Sequence, residues 1–232
     1  QWEKNLIDKN YPGFKDKTQA WPQEVILNSQ PFSLEEKELI KEQYAGGNEF
    51  FIYSGLIGSE RNLMNLLKAF SAFKKRQKSG MRLIIAGNKA SDFDTFSKEL
   101  KNYRFKNEVE ILAFLSSKES LQLIGASYAI VFPTNAEMSA ITALQAMDLR
   151  VPVLATMESV FQEICGEAGL YFSSLDFKSI AEKMMLIFKD ENLKKELCKK
   201  GKEMAQQYQP TDNSHQLLQL IENATKKIAS KN

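Results

Sequence analysis

One histidine, two cysteines and no apolar stretch longer than a strand: what this chain of 232 residues has little of removes several function classes at once. His215 falls late in the sequence, beyond Pro210, with no serine and carboxylate arrangement around it that suggests a catalytic triad, and is read as a surface residue. Cys165 and Cys198 form neither a CxxC pair nor a Cys/His metal spacing, so they are expected to be free thiols in a reducing compartment. The longest apolar runs, such as 83–86 and 129–132, fall far short of the roughly 20 residues that cross a bilayer, so no transmembrane segment is expected. No charge sign dominates either. Lysine and arginine number 31 against 29 acids, a net of +2, which carries no overall field for nucleic acid. The Lys74-Lys75-Arg76 and Lys199-Lys200 runs are read as solvated helix faces, and Met184-Met185 as core. Neither GxGxxG nor a Walker lysine motif occurs, which weakens dinucleotide and P-loop readings. The opening residues lack an apolar signal-peptide core, and the start at Gln1 suggests a piece of a longer protein.

What remains is a folding composition, 43% hydrophobic and 26% charged. Residues 1–32 carry Pro12, Pro22 and Pro31 and read as a linker or edge segment with one strand at 25–27. Ser33, followed by Glu35 and Glu36, caps a helix to about residue 44, which Gly46-Gly47 ends. Beyond it, strands at 50–54, 82–87, 109–112, 128–132, 151–155 and 170–172 alternate with helices after Arg61 to about 77, at 92–101, 116 onward, 140–148 and 159–164. Ser116 with Glu119 makes a capping box. Asp176 and Asp190 would cap later helices, and Pro210 would separate a last one at 213–229. Short apolar strands between amphipathic helices predict an α/β fold, a Rossmann-like doubly wound parallel sheet of about six strands. In such a sheet ligands bind beyond the carboxyl ends of the strands, which nominates loops 54–61, 87–89, 113–117, 134–142 and 156–159.

In order, those loops resemble the C-terminal domain of group 1 (family 4) retaining glycosyltransferases, over residues 25–208. FFIYSGLIGSERNLMNLLKAF resembles the family's aromatic strand, glycine, basic residue and asparagine opening a helix. RLIIAGN is similar to its second strand and glycine turn, and VEILAFLSSKESLQLIGASYAIVFPTNAE follows the next strand, serine cap, helix and strand. AEMSAITALQAMDLRVPVLAT stands where the family carries two glutamates around a Gly-Phe-Gly turn, and ESVFQEICGEAGLYF resembles its closing serine, glutamate, glycine and strand block. The resemblance implies one half of a GT-B fold. Residues 33–208 would be the nucleotide-sugar-binding domain, 1–32 a linker from the preceding acceptor domain, and 209–232 a C-terminal helix.

Residue by residue, the resemblance assigns catalytic positions to Arg61 and Glu137. Arg61 stands at a lysine position, where a guanidinium can grip two phosphate oxygens. Glu137 matches the first glutamate, which contacts the donor sugar. Donor-binding positions are Gly55, Gly87, Ala113, Ala140, Ile141, Thr142 and Gln145. Four departures stand out: Leu56 replaces a second phosphate-binding cation, Gln145 replaces the ribose-holding glutamate, Met138-Ser139-Ala140 replace the glycine turn, and Ala113 replaces a glycine beside the base. Leucine binds no phosphate, whereas glutamine still accepts a hydrogen bond without adding charge. The implied function is the donor-binding half of a retaining enzyme that moves a sugar from a nucleoside diphosphate sugar to a glycan or lipid. No metal or other cofactor is implied, and the nucleoside diphosphate sugar is a substrate. The implied partner is an N-terminal acceptor-binding half, to which any peripheral membrane contact is assigned, and the implied location is cytoplasmic. The competing reading is a degenerate GT-B domain that serves as a binding or assembly module. A sugar-nucleotide epimerase finds little support.

Overall fold

Each apolar run in 50–172 becomes a strand because its alternate side chains have a hydrophobic layer to enter on either side. In the computed structural model, described for residues 2–18, 27, 30–134, 140–157, 159–208 and 218–222, the strands are β1 Phe50–Ser54, β2 Arg82–Ala86, β3 Val109–Leu112, β4 Ala129–Phe132, β5 Val153–Thr156 and β6 Gly169–Phe172. All pairs are parallel, in the order β3-β2-β1-β4-β5-β6. Ile52 fixes the centre of the sheet, paired with Ile84 on one side and Ile130 on the other.

Alternation along β1 builds both cores. Phe50 and Ile52 enter one layer with Ile130, Phe132 and Val153, covered by helices α2 (Leu34–Ala45), α5 (Ser117–Ala126), α6 (Ile141–Asp148) and α7 (Val160–Cys165). Phe51 and Tyr53 enter the other with Leu83, Ile85 and Val131, covered by α3 (Leu63–Gln77), α4 (Phe93–Lys101) and α8 (Phe177–Lys189). Phe132 stacks on Phe161 at 4.4 Å in the first layer, and Phe51 meets Phe73 edge-on at 5.3 Å in the second. Burying a side chain of this kind contributes about 1.5–3 kcal/mol, so the two layers dominate the stability of the sheet. The last long helix, α9 (Glu191–Gln206), packs against α6. Met184 and Met185 are buried, as expected.

Local signals set the helix ends. Ser33 Oγ accepts from Glu36 N at 3.2 Å while Glu36 Oε2 accepts from Ser33 N at 2.7 Å, and Gly46 closes α2 in the left-handed region. Ser116 and Glu119 repeat the reciprocal pair at α5. Asp176 and Asp190 accept from Lys178 N and Leu193 N to cap α8 and α9.

Two expectations change, for the first segment and for Lys74. Trp2–Asn10 is a helix, α1, within the expected linker; Lys4 and Asp8 pair across one turn at 2.6 Å, and a 3-10 turn begins at Pro12. The helix after β1 follows Arg61 as expected, entered through a 3-10 turn, Ser59–Arg61, and left-handed Asn62. Lys74 is not solvated like its exposed neighbours Lys75 and Arg76: it is 7% exposed, its ammonium donates to the Ser79 and Met81 carbonyls, and it pairs with Glu108. Of the strand expected at 25–27 only Leu27 is described, buried and not in a strand; of the helix expected at 213–229 only 218–222 are, and they are helical.

Candidate active site at the switch point

β1 and β4 are neighbours, yet the helices that follow them, α3 and α6, cover opposite faces of the sheet. Their loops therefore part at the carboxyl edge and leave the crevice where doubly wound sheets bind ligands.

On the β1 side the crevice depends on two glycines. Gly87 has φ +139, and a methyl group there would overlap the Gly55 carbonyl oxygen and lie 2.8 Å from its carbon. Without that methyl the loops after β1 and β2 continue the ladder: Gly55 N donates to Ala86 O at 3.0 Å, Ile57 N to Asn88 O at 2.8 Å, and Ala90 N to Ile57 O at 2.9 Å. Both glycines are half-buried, and it is at Gly87 that the close approach leaves no room for a side chain.

Beyond them Leu56, Gly58, Glu60, Arg61, Ala90, Ser91 and Asp92 line a cavity of about 390 Å³. Arg61 and Leu56 thus share one cavity, Arg61 half-buried and Leu56 40% exposed. Asp92 was not foreseen. Its carboxylate accepts from the backbone and hydroxyl of Ser59, and the hydroxyl bond, ahead of the opposing effect of burial, holds Asp92 below the usual carboxylate range. Gly58 gives it room, since a methyl there would overlap the carboxylate. With Glu60 alongside, the cavity holds two acids around Arg61.

Asn62 ties this turn to the rest of the crevice. Its Nδ2 donates to Pro133 O at 2.6 Å and Ser174 O at 2.8 Å, joining the starts of the loops after β4 and β6 to that of α3, and Asn65 adds a bond to Ser174 O at 3.3 Å. Thr156 Oγ1 donates to Thr134 O at 3.1 Å and ties in the loop after β5.

On the β4 side Ala140 is fully buried beneath the start of α6, so its methyl packs into the core and offers no surface to a ligand. Ile141 is 39% exposed; Thr142 and Gln145 are half-buried, with Gln145 one turn along from Ile141 on the same helix face. Ala140, at the N-cap, makes no side-chain capping bond, and the first backbone N–H groups of a helix give that end a partial positive charge. Half-buried Ala113 follows β3, and Phe114 beyond it is 78% exposed with φ +60, a strained conformation for a bulky residue. Glu137, Met138 and Ser139 lie outside the described residues. Among the described residues no group of three or more His, Cys, Asp or Glu side chains is disposed to hold a metal ion, and no helix is long and apolar enough to cross a membrane.

The model of a family described as glycosyl transferases group 1 matches residues 35–204, which takes in the sheet and the crevice. The chain is a member of the group 1 glycosyltransferases. Relatives of this group 1 domain include the O-antigen chain mannosyltransferase B of Escherichia coli, 22% identical over 159 residues, 68% of this chain and 42% of that protein. Another is the capsular polysaccharide biosynthesis glycosyltransferase CapM of Staphylococcus aureus, 22% identical over 181 residues, 76% of this chain and 47% of that one. The group 1 domain thus spans less than half the length of either. Among solved structures, Anabaena Alr3699/HepE in complex with UDP and glucose superposes with a TM-score of 0.75 at 15% identity, over 93% of this chain and 58% of that one. The C-terminal domain of the group 1 family protein LpcC from Francisella tularensis superposes with a TM-score of 0.67 at 17% identity, over 78% of this chain and 96% of that domain. The fold they share is the Rossmann-like half of a GT-B architecture.

Proposed function

We propose that this chain is the donor-binding half of a retaining glycosyltransferase, taking a nucleoside diphosphate sugar in the crevice between β1 and β4 and working with an N-terminal half that binds a glycan or lipid. The observation that carries this reading is that Arg61 and the N-terminus of α6 stand on the two sides of that crevice. As the sugar leaves, negative charge gathers on the diphosphate, and a cation and backbone amides fixed beforehand stabilise it without a metal. Gln145 would hold the ribose, Ala113 would lie beside the base, and exposed Phe114 offers the base an aromatic face. Glu137 would contact the sugar. The domain would comprise residues 33–208, with 1–32 leading in from the acceptor half and 209–232 following as a helix. The family relationship and the half-length match to CapM support this division. Two free cysteines suit a reducing, cytoplasmic location.

A specific observation favours a second reading, a degenerate module that keeps the fold without transfer. Leu56 stands where a cation is expected, and Glu60 and Asp92 line the same cavity as Arg61. One cation–phosphate pair at about 4 Å is worth roughly 4 kcal/mol at an effective dielectric of 20, so its loss weighs heavily against transfer. Calorimetric titration with UDP, GDP and their common sugars separates the two. Binding of a nucleotide at micromolar to millimolar concentration supports the donor-binding reading; its absence through the millimolar range leaves the degenerate module.

A further inference from the structure

At the opposite end of the strands from the crevice, a cavity of about 560 Å³ opens between α9 and the turn before β5. Its position follows from its neighbours. Lys194 lies 3.5 Å over the ring of Tyr128, the residue before β4, and Arg150 follows α6 and precedes β5. The cavity is lined by Arg150, Lys194, Lys195, Lys199 and Lys202 against Glu191 and Glu203, five cations to two acids.

The two acids are outnumbered by the five cations, although Glu191 acts on Lys194. Glu191 accepts a hydrogen bond from Tyr128 Oη at 2.9 Å, and Lys202 is drawn to Asp148, a carboxylate only 1% exposed, at 2.5 Å. Arg150, Lys194, Lys195 and Lys199 make no ion pair among the described residues. Burial, ahead of nearby charges, holds the ammoniums of Lys194 and neighbouring Lys37 below the usual lysine range. Cations gathered in a half-enclosed space without an ion-pair partner repel one another, and an anion seated among them relieves both the repulsion and the lost hydration. A cavity of this size takes a small molecule or a headgroup.

We infer that this cavity binds a phosphate-bearing anion, held by Arg150, Lys194, Lys195 and Lys199, at a site separate from the switch-point crevice. The anion is either a free phosphorylated metabolite or the headgroup of an anionic lipid. The inference does not rest on the donor-binding proposal.

Half-buried Cys198 lines the cavity and reports on it, because Cys165 is fully buried and its thiol is pushed up to about 12 by that burial. The Cys198 thiol is itself raised by burial, then partly lowered by Lys194, Lys37 and Arg150, against Glu191. A bound anion covers this thiol, cancels the cations and reduces its reactive thiolate fraction. The test is the rate of Cys198 alkylation by iodoacetamide in the 232-residue chain, with Cys198→Ser as the blank. Measurements are made with pyrophosphate, with sodium chloride at equal ionic strength, and with vesicles of phosphatidylglycerol or of phosphatidylcholine alone. At least fivefold protection by millimolar pyrophosphate, retained in Arg61→Ala and lost in Lys195→Gln/Lys199→Gln, supports a free phosphorylated ligand. The same pattern with phosphatidylglycerol vesicles only supports a lipid headgroup. Protection by neither probe, equal protection by chloride or phosphatidylcholine, or protection that survives the double substitution overturns the inference. Lys195 and Lys199 are exposed, so their replacement leaves the core intact; a far-ultraviolet spectrum matching the wild type verifies it.

Discussion

Replacing Gly87 by alanine tests whether the β1 side of the crevice is built on a close approach of two loops. The new methyl would overlap the Gly55 carbonyl, and φ +139 is a conformation that side-chain-bearing residues avoid. Holding alanine there costs about 1–3 kcal/mol of backbone strain. Separating the loops enough to admit the methyl disturbs the bonds from Gly55 N to Ala86 O, Ile57 N to Asn88 O and Gly87 N to Leu112 O. Losing one or two of these adds about 1 kcal/mol each. The expected loss is about 2–5 kcal/mol, a large share of the roughly 5–15 kcal/mol that stabilises a domain. Urea denaturation followed by circular dichroism should show the midpoint falling by about 1.5 M, for a slope near 2.5 kcal/mol per M. Gly46→Ala is the control. It also has positive φ, +57, but a methyl there meets nothing closer than Arg82 at 3.8 Å, so it should lose only the left-handed penalty of about 1 kcal/mol. Equal losses in the two variants, within about 0.5 kcal/mol, would refute the steric argument for the Gly55–Gly87 junction.

Arg61→Ala should weaken nucleoside diphosphate binding at least tenfold, about 1.4 kcal/mol, in calorimetry at fixed salt, and Gln145→Glu should tighten it by restoring charge at the ribose position. Unchanged affinity in Arg61→Ala, where the wild type binds, would remove Arg61 from the phosphate site. Phe114→Asn should move stability and binding in opposite directions: a gain of about 0.5–1 kcal/mol in thermal unfolding, since asparagine tolerates positive φ and the ring is mostly exposed, and weaker nucleotide binding from the lost aromatic face. Lys202→Ala should cost about 2–3 kcal/mol in urea unfolding, because it removes a charged partner from buried Asp148.

The sheet was readable in the sequence because each strand is an apolar run with a turn signal at either end, and the capping boxes at Ser33 and Ser116 act between residues three apart. The same locality explains what was hidden. Asp92 works on Ser59 from another loop, and Asn62 on the carbonyls of Pro133 and Ser174, so nothing beside either residue advertises the bond. Lys74 looked like one member of a basic run because its carbonyl partners, Ser79 and Met81, lie past the end of its helix. Helix α1 was obscured by the prolines downstream, although it ends at Asn10, before the first of them. At the crevice, Arg61 and Leu56 were found through the resemblance, and the acids around Arg61 became visible only when the loops after β1 and β2 came together.

Asn62 also sets the order in which the crevice can be completed. Its amide reaches residues 133 and 174, so a chain emerging from the ribosome carries Arg61 long before the carbonyls that hold the turn beside it exist. A nascent chain stopped near residue 112 has β1, β2 and β3 but lacks β4, the other wall of the crevice; one stopped before residue 174 has all six strands and still lacks the second anchor of Asn62. On the donor-binding proposal, phosphate-binding competence would therefore be a late event in biosynthesis, arriving with the chain beyond β6 and not with the segment that carries the arginine.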